Sequence, residues 1–134
     1  MSPARSETVR IRTTEDVVAV RQVVRKWTVE LAFGLVDQTK FITAASELAR
    51  NALGYGGGGT ATIEVVDDGA KQGLRLTVED KGPGIADVEM ALRDGYTTGI
   101  GMGLGLGGSR RLVHEFEIDS RVGEGTRVTI VRWR

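Results

Sequence analysis

No cysteine occurs among the 134 residues. A disulfide framework and a cysteine-ligated zinc centre are thereby excluded, and redox chemistry leaves the compartment open. Charge of a single sign is also missing, since 18 Lys and Arg balance 18 Asp and Glu. A nucleic-acid binder normally carries a basic footprint, so this balance argues against one. No apolar run approaches the roughly 18 residues of a membrane span, and the N-terminus has no apolar stretch of the signal-peptide kind. The expectation is a soluble cytoplasmic protein with no nucleic-acid partner and no membrane partner. The single histidine, His114, has no cluster of partners. A solvent-facing or packing role on the last helix suits it better than taking up a phosphoryl group. Internal repeats and long linkers are lacking. With 40 % apolar and 27 % charged residues, the chain reads as one globular domain with one core. Residues 1–7 look like a flexible tail, and 8–134 the domain.

What is abundant is glycine, with 19 residues, more than a third of them between Gly95 and Gly108. Around that cluster the pattern is regular. Alternation over 8–12 predicts a half-buried strand. Thr14 is a plausible N-cap, with acidic Glu15 and Asp16 in the first turn. Val17, Val20, Val24, Trp27 and Leu31 then step by helical intervals and form a core stripe. Gly34 ends this helix. A second covers 36–53, with Ile42, Ala45, Leu48, Ala49 and Ala52 inward, and the glycine run Gly56 to Gly59 breaks the chain. Period-two strands follow at 60–66 and 74–79, turning through Asp67, Asp68 and Gly69. Helices are expected at 87–94 and 104–116, and strands at 117–122 and 126–133 around the tight turn Gly123-Glu124-Gly125. Strand–helix–helix–strand–strand–helix–helix–strand–strand implies an α/β two-layer sandwich. Its sheet is mixed and mainly antiparallel, with the helices on one face. At the C-terminus, Arg132-Trp133-Arg134 reads as a strand end with one core aromatic, ahead of a partner contact.

Three segments carry chemistry. Glu47 and Asn51 lie four apart and project from one helix face, with Arg50 pointing elsewhere. Asn offers a neutral oxygen to a Mg²⁺ already neutralised by phosphates, and Glu a base for a hydroxyl; an exposed polar pair on a surface helix has the same spacing. Asp80 ends a strand and could accept from an adenine amino group. Gly82 and Gly84 let a planar base approach the backbone, although Asp80-Lys81-Gly82-Pro83-Gly84 is also good turn chemistry without a ligand. In Gly99 to Gly108 every second residue is glycine until the last pair, which is costly inside a helix or strand. A helix beginning there would offer free N–H groups to an anion, with the stretch from Asp94 to Thr98 as a hinged lid; a plain glycine loop is the alternative. Gly103, Gly105 and Gly108 match Gly-x-Gly-x-x-Gly, but the strand a dinucleotide site needs is missing, and no Gly-Lys-Ser/Thr is present for a Walker A loop.

Read together, these segments resemble the Bergerat-fold (GHKL) ATPase and kinase superfamily of gyrase, Hsp90, histidine kinases and MutL. Glu47 through Asn51 matches its N box, Asp80 through Gly84 its Asp-x-Gly-x-Gly box, Gly101 through Leu106 its second glycine box, and Gly123-Glu124-Gly125-Thr126 its last box. Within it, Val36-Asp37-Gln38-Thr39, Ser46 through Asn51, Asp94 through Gly99, and Arg111-Leu112 with Glu115-Phe116 resemble the small anti-sigma-type serine/threonine kinases of the stressosome switch type. The resemblance implies ATP and Mg²⁺ as cofactors. Glu47 would be the base for the acceptor hydroxyl, and Asn51 the Mg²⁺ ligand. Asp80 would read the adenine amino group, with Gly82, Gly84, Ile85 and Thr126 around the base. Gly101, Met102, Gly103, Leu104, Gly105 and Leu106 would wrap the phosphates, under a lid over 86–102 that carries Thr97 and Thr98. It also implies STAS-domain antagonist or scaffold proteins as substrates, and a PP2C-type phosphatase or other output enzyme activated after release. The alternative on the same fold is an anti-sigma factor sequestering a sigma factor under nucleotide control. A detached histidine-kinase domain would need a phosphoacceptor hairpin, and a motor-like ATPase a transducer domain; neither has room here.

Overall fold

The computed structural model describes residues 5–92 and 105–134. In chain order the elements are β1 (Ser6–Ile11), α1 (Thr14–Glu30), α2 (Leu35–Gly54), β2 (Gly59–Asp67), β3 (Gln72–Asp80), α3 (Val88–Ala91), α4 (Gly105–Arg111), β4 (Glu115–Arg121) and β5 (Gly125–Trp133). The strands form one sheet ordered β1-β2-β3-β5-β4. Every pairing in it is antiparallel, so the expected parallel admixture is absent among the described residues.

The cap of α1 sits one residue earlier than the sequence suggested. Thr13 accepts from the Asp16 N–H at 3.4 Å, and the Asp16 carboxylate accepts from the Thr13 N–H at 3.0 Å. This reciprocal box satisfies two donors that a helix start leaves open, which a cap at Thr14 would not. Val17, Val20, Val24 and Thr28 bury the inner face of α1. Trp27 is only half-buried; its indole N–H donates to Glu7 at 3.0 Å and ties α1 to β1. The helix ends before Gly34. Ala32 takes a left-handed φ of 58°, and the Phe33 N–H reaches back to the Thr28 carbonyl at 2.9 Å. That is a Schellman ending with alanine at the position glycine prefers. Gly34 instead starts α2.

The sheet's inner face explains where the core and the site lie. Two cross-strand rows are wholly or mostly apolar and face the helices. Val9, Ala61, Val78, Val128 and Ile118 form one, and Ile63, Leu76, Ile130 and Phe116 continue from Glu7 in the next. Against them α2 packs Phe41, Ala44, Ala45, Leu48, Ala49 and Ala52, all buried. Phe41 is fully enclosed, and periodicity alone had put the half-buried Ile42 in its place. Truncating such a residue to alanine typically costs about 3–5 kcal/mol.

The inner face changes character at both ends. Beyond the apolar rows at one end lies Ile11, Gly59, Asp80, Thr126 and Ser120. At the other, Arg132 continues the inner row beside Leu74 and is 8 % exposed. Its guanidinium donates to the Leu112 carbonyl at 2.9 Å and to the Asp37 carboxylate in the first turn of α2. Arg132 holds the Asp37 carboxyl below its ordinary pKa. The C-terminal Arg132 is thus an internal strut, and the neighbouring Trp133 is half-buried rather than core, its indole donating to Glu115 at 2.8 Å.

The last helix is shorter than its apolar spacing implied. It stops at Arg111; Leu112 and Val113 lie in a loop, and Phe116 belongs to β4, opposite Ile130. The His114 N–H donates to Val131 at 2.9 Å, which draws the backbone into sheet pairing. His114 is therefore off the helix, and its Nδ1 accepts from the Trp133 N–H at 2.8 Å. Partial desolvation, helped by Arg132, lowers its pKa. The predicted helix over 87–94 is the single turn of α3, capped by Asp87, whose carboxylate accepts from Met90 N–H at 3.0 Å. Residues 93 and 94 lie outside the described residues.

Candidate nucleotide site

The polar row at the sheet end brings together segments far apart in sequence. Asp80 ends β3, and its Oδ1 accepts from the Gly82 N–H at 2.9 Å, folding the loop back on itself. Burial raises its pKa, against the Gly82 and Thr126 N–H groups that pull it down. Gly56, just past α2, lies so close that an added Cβ would fall 2.3 Å from Asp80 Cγ. At Gly82 a Cβ would fall 2.6 Å from Gly56 Cα. The run from Gly56 to Gly59 is therefore more than a break in the chain. It stacks backbone against backbone and lets the end of α2 touch the Asp80 loop.

A second set of bonds ties this loop to the β4–β5 hairpin. Gly84 has a φ of 77°, and a Cβ there would meet the Arg121 carbonyl at 2.2 Å. The Gly123 N–H donates to the Pro83 carbonyl at 2.8 Å. Ser120 Oγ accepts from the Ile85 N–H at 2.7 Å and lies 2.7 Å from Thr126 Oγ1. Asp80 and Thr126 are directly paired across β3 and β5, facing the helical layer.

Glu47 and Asn51 lie on α2, in the half that leads to Gly56. Glu47 is buried at 5 % exposure, which a charged side chain tolerates only when paired. The partner is Arg50, whose Nη2 donates to Glu47 Oε1 at 2.6 Å. The expectation that Arg50 points elsewhere is thus corrected. Residues three apart on a helix are neighbours, and the long guanidinium reaches Glu47 while staying half in solvent. The Asn51 carboxamide is half-buried and makes no side-chain hydrogen bond among the described residues. Buried polar groups are normally paired, so an open carboxamide beside a held carboxylate fits a ligand-bearing face.

Residues 36–134 match the model of the "Histidine kinase-, DNA gyrase B-, and HSP90-like ATPase" family. The chain belongs to that family. It is 48 % identical over 125 residues to serine/threonine-protein kinase RsbT of Bacillus subtilis (strain 168), covering 93 % of this chain and 94 % of that one. On that likeness it is a serine/threonine protein kinase, and its family membership makes ATP its nucleotide. A structural likeness carries the fold alone. The crystal structure of the RsbU and RsbW domains of Rv1364c from Mycobacterium tuberculosis superposes with a TM-score of 0.67 at 24 % identity. That match covers 98 % of this chain and 33 % of the other. No helix among the described residues is long and apolar enough to cross a membrane.

Within this ATPase family frame, Asp80, Gly82, Gly84, Ile85 and Thr126 converge at one sheet end, and the α2 segment bearing Glu47 and Asn51 runs to it. Leu106 is buried on α4, which begins at Gly105 and packs against α2. Thr97, Thr98, Gly101, Met102, Gly103 and Leu104, with the expected lid beyond residue 92, lie outside the described residues. Sequence reasoning missed Ser120. Its signal was present: Phe116, Ile118 and Ser120 share the inner alternation of β4, so a hydroxyl stands where an apolar residue is due.

Proposed function

We propose that the chain transfers the γ-phosphoryl of ATP to a serine or threonine of a STAS-domain antagonist or scaffold protein, and that it then leaves this substrate to activate an output enzyme such as a PP2C-type phosphatase. The observation that carries the site reading is Glu47, a buried carboxylate one turn before Asn51, whose carboxamide has no partner among the described residues. Glu47 takes the proton of the acceptor hydroxyl as its oxygen bonds to phosphorus, while the phosphorus–oxygen bond to ADP breaks. Arg50 occupies one Glu47 oxygen and so limits how the carboxylate turns. Asn51 would hold Mg²⁺, which supplies charge neutralisation on the phosphates. Asp80 accepts from the adenine amino group, and the glycine contacts at 56, 82 and 84 keep side chains away from the base. The glycine box at 101–106 and the lid with Thr97 and Thr98 complete the reading. The domain takes in β1 from Ser6, so the expected tail over 1–7 is too long by Ser6 and Glu7, which pair with β2; its place of work is the cytoplasm.

The test is transfer of label from ATP, with Mg²⁺, to a STAS-domain protein of the same genome. Glu47→Ala is expected to slow transfer by about 10²–10⁴-fold while retaining nucleotide. Arg50 is half in solvent, so losing its partner leaves no buried cation. Asn51→Ala should weaken Mg²⁺-dependent ATP binding. Unchanged transfer in Glu47→Ala removes it as the base. Nucleotide bound with no label on any STAS protein removes the substrate assignment and turns the search to a sequestered sigma factor.

A further inference from the structure

We infer that Arg132 is a positioning residue for phosphoryl transfer: it sets where α4, with the end of the glycine box that α4 carries, stands against the α2 face bearing Glu47 and Asn51. The inference rests on the reading of Glu47 as the base and of the glycine box as the phosphate cradle.

Helix α4 cannot place itself. It has 7 residues, and Gly105, Gly107 and Gly108 are among them. A helix so short is marginal alone, and glycine adds to the entropy lost on forming it. Its position is therefore set by what grips it. Leu106 and Ser109 are buried and hold one side. Past its last turn, the Leu112 N–H donates to the Ser109 carbonyl at 3.1 Å, and the Leu112 carbonyl accepts from Arg132 Nη1 at 2.9 Å. Arg132 Nη2 donates at the same time to Asp37, in the first turn of α2. One planar guanidinium thus fixes the end of α4 against the start of α2. Gly105 and Leu106, which close the glycine box, open α4, and Glu47 and Asn51 follow Asp37 along α2.

Stability does not account for this residue. Arg132 is 8 % exposed, and its Nε has no hydrogen-bond partner among the described residues. Replacing a buried ion pair by apolar side chains is often neutral. What an apolar side chain cannot supply is two directed bonds to two separate elements. Asp37 and Leu112 also lie in two of the short segments through which the chain resembles the small serine/threonine kinases, and neither segment has a part in the nucleotide site. Arg132 gives both a common task. It stands at the sheet end opposite Asp80 and Thr126, so it acts through α2 and α4 and not by touching nucleotide.

Transfer of the γ-phosphoryl from saturating Mg²⁺-ATP to a STAS-domain protein of the same genome is followed in single turnover, and ADP binding by calorimetry counts the folded sites. The proteins are the unmodified chain, Arg132→Met, Asp37→Ala, Asp37→Asn and Glu47→Ala. Arg132→Met should keep its ADP affinity, since the adenine contacts lie at the other sheet end. Its transfer rate per ADP site should fall about 10²-fold, the scale of a misplacement of about 1 Å. Asp37→Ala should slow transfer less, because the bond to Leu112 remains. Asp37→Asn keeps an oxygen for Nη2 without the charge and should keep the rate. An unchanged rate per ADP site in Arg132→Met overturns the inference and leaves Arg132 a structural strut alone. Should Arg132→Met fail to fold, the Asp37 variants decide: Asp37→Ala slower than Asp37→Asn supports the inference, and equal rates overturn it. No transfer by the unmodified chain, or an unchanged rate in Glu47→Ala, overturns instead the site reading on which the inference stands.

Discussion

Replacing Asp37 by alanine removes one end of the strut between α2 and β5. The cation end is the buried one: the Arg132 side chain is 10 % exposed and that of Asp37 40 %. Arg132 Nε already has no hydrogen-bond partner among the described residues. Loss of one partner from a fully buried pair costs about 3–5 kcal/mol, while exposed pairs contribute about 0–1 kcal/mol. A pair buried at one end falls between, so Asp37→Ala should cost about 2 kcal/mol. For a domain of this size that is a fall in Tm of roughly 6 °C. Arg132→Met removes the desolvated cation together with its orphan nitrogen, and should cost about 1 kcal/mol or less. In that background the further change Asp37→Ala should cost almost nothing. Urea unfolding of the four proteins at pH 7 measures the coupling, with m-values required to agree. Acid adds a check of sign. Arg132 lowers the folded pKa of Asp37, so the pair stabilises above the unfolded carboxylate value of about 4. That contribution is lost as pH falls through the folded value, and Asp37→Ala should flatten this part of the acid limb. A cost below about 0.5 kcal/mol for Asp37→Ala, or an equal cost with and without Arg132, refutes the reasoning.

Two further outcomes follow from backbone geometry. Ala32→Gly relieves a left-handed alanine at the α1 Schellman ending and should raise stability by about 0.5–1 kcal/mol in denaturant titration, net of the greater freedom of glycine in the unfolded chain; a loss of stability would contradict the cap assignment. Gly84→Ala places a methyl group 2.2 Å from the Arg121 carbonyl at a φ of 77°, and should cost about 1–3 kcal/mol and weaken ATP binding, read by calorimetry; wild-type affinity in a folded variant would mean that this loop does not shape the site.

Much of the fold was legible because its layers are simple. Strands buried on one face show period two, and β2 and β3 were placed within a residue or two. Errors arose where helical spacing and strand alternation coincide. Leu112, Val113 and Phe116 keep helical intervals, yet β5 offers Phe116 a pairing partner that local sequence cannot display. Chain breaks were read from glycine alone, so Ala32 was passed over and Gly34 credited with ending α1. The candidate site residues are legible as motifs, since the proposed role of each rests on backbone freedom or on a polar side chain at a fixed spacing. What holds them was not. Arg50 on Glu47, Gly56 on Asp80 and Ser120 under Thr126 are contacts of side-chain reach or sheet register, and register appears only when strands separated by helices are laid together.

The register of β3 on β5 has a consequence for how the molecule assembles. β2 with β3, and β4 with β5, are hairpins of neighbouring strands and can form locally. β3 with β5 joins one hairpin to the other across the segment that holds α3 and α4, and such long closures come late because chain entropy opposes them. Asp80 and Thr126 meet only at that step. On the proposed site, neither hairpin alone holds the whole adenine-facing pair, since each supplies only one of the two groups. Nucleotide therefore has little to grip in a partly assembled chain and binds the joined sheet, so ATP in excess of its Kd acts as a fastener on the last long-range seam. Protection of β3 and β5 amides from hydrogen exchange should consequently rise with ATP, while the turn of the β2–β3 hairpin at Asp68 keeps its own pace.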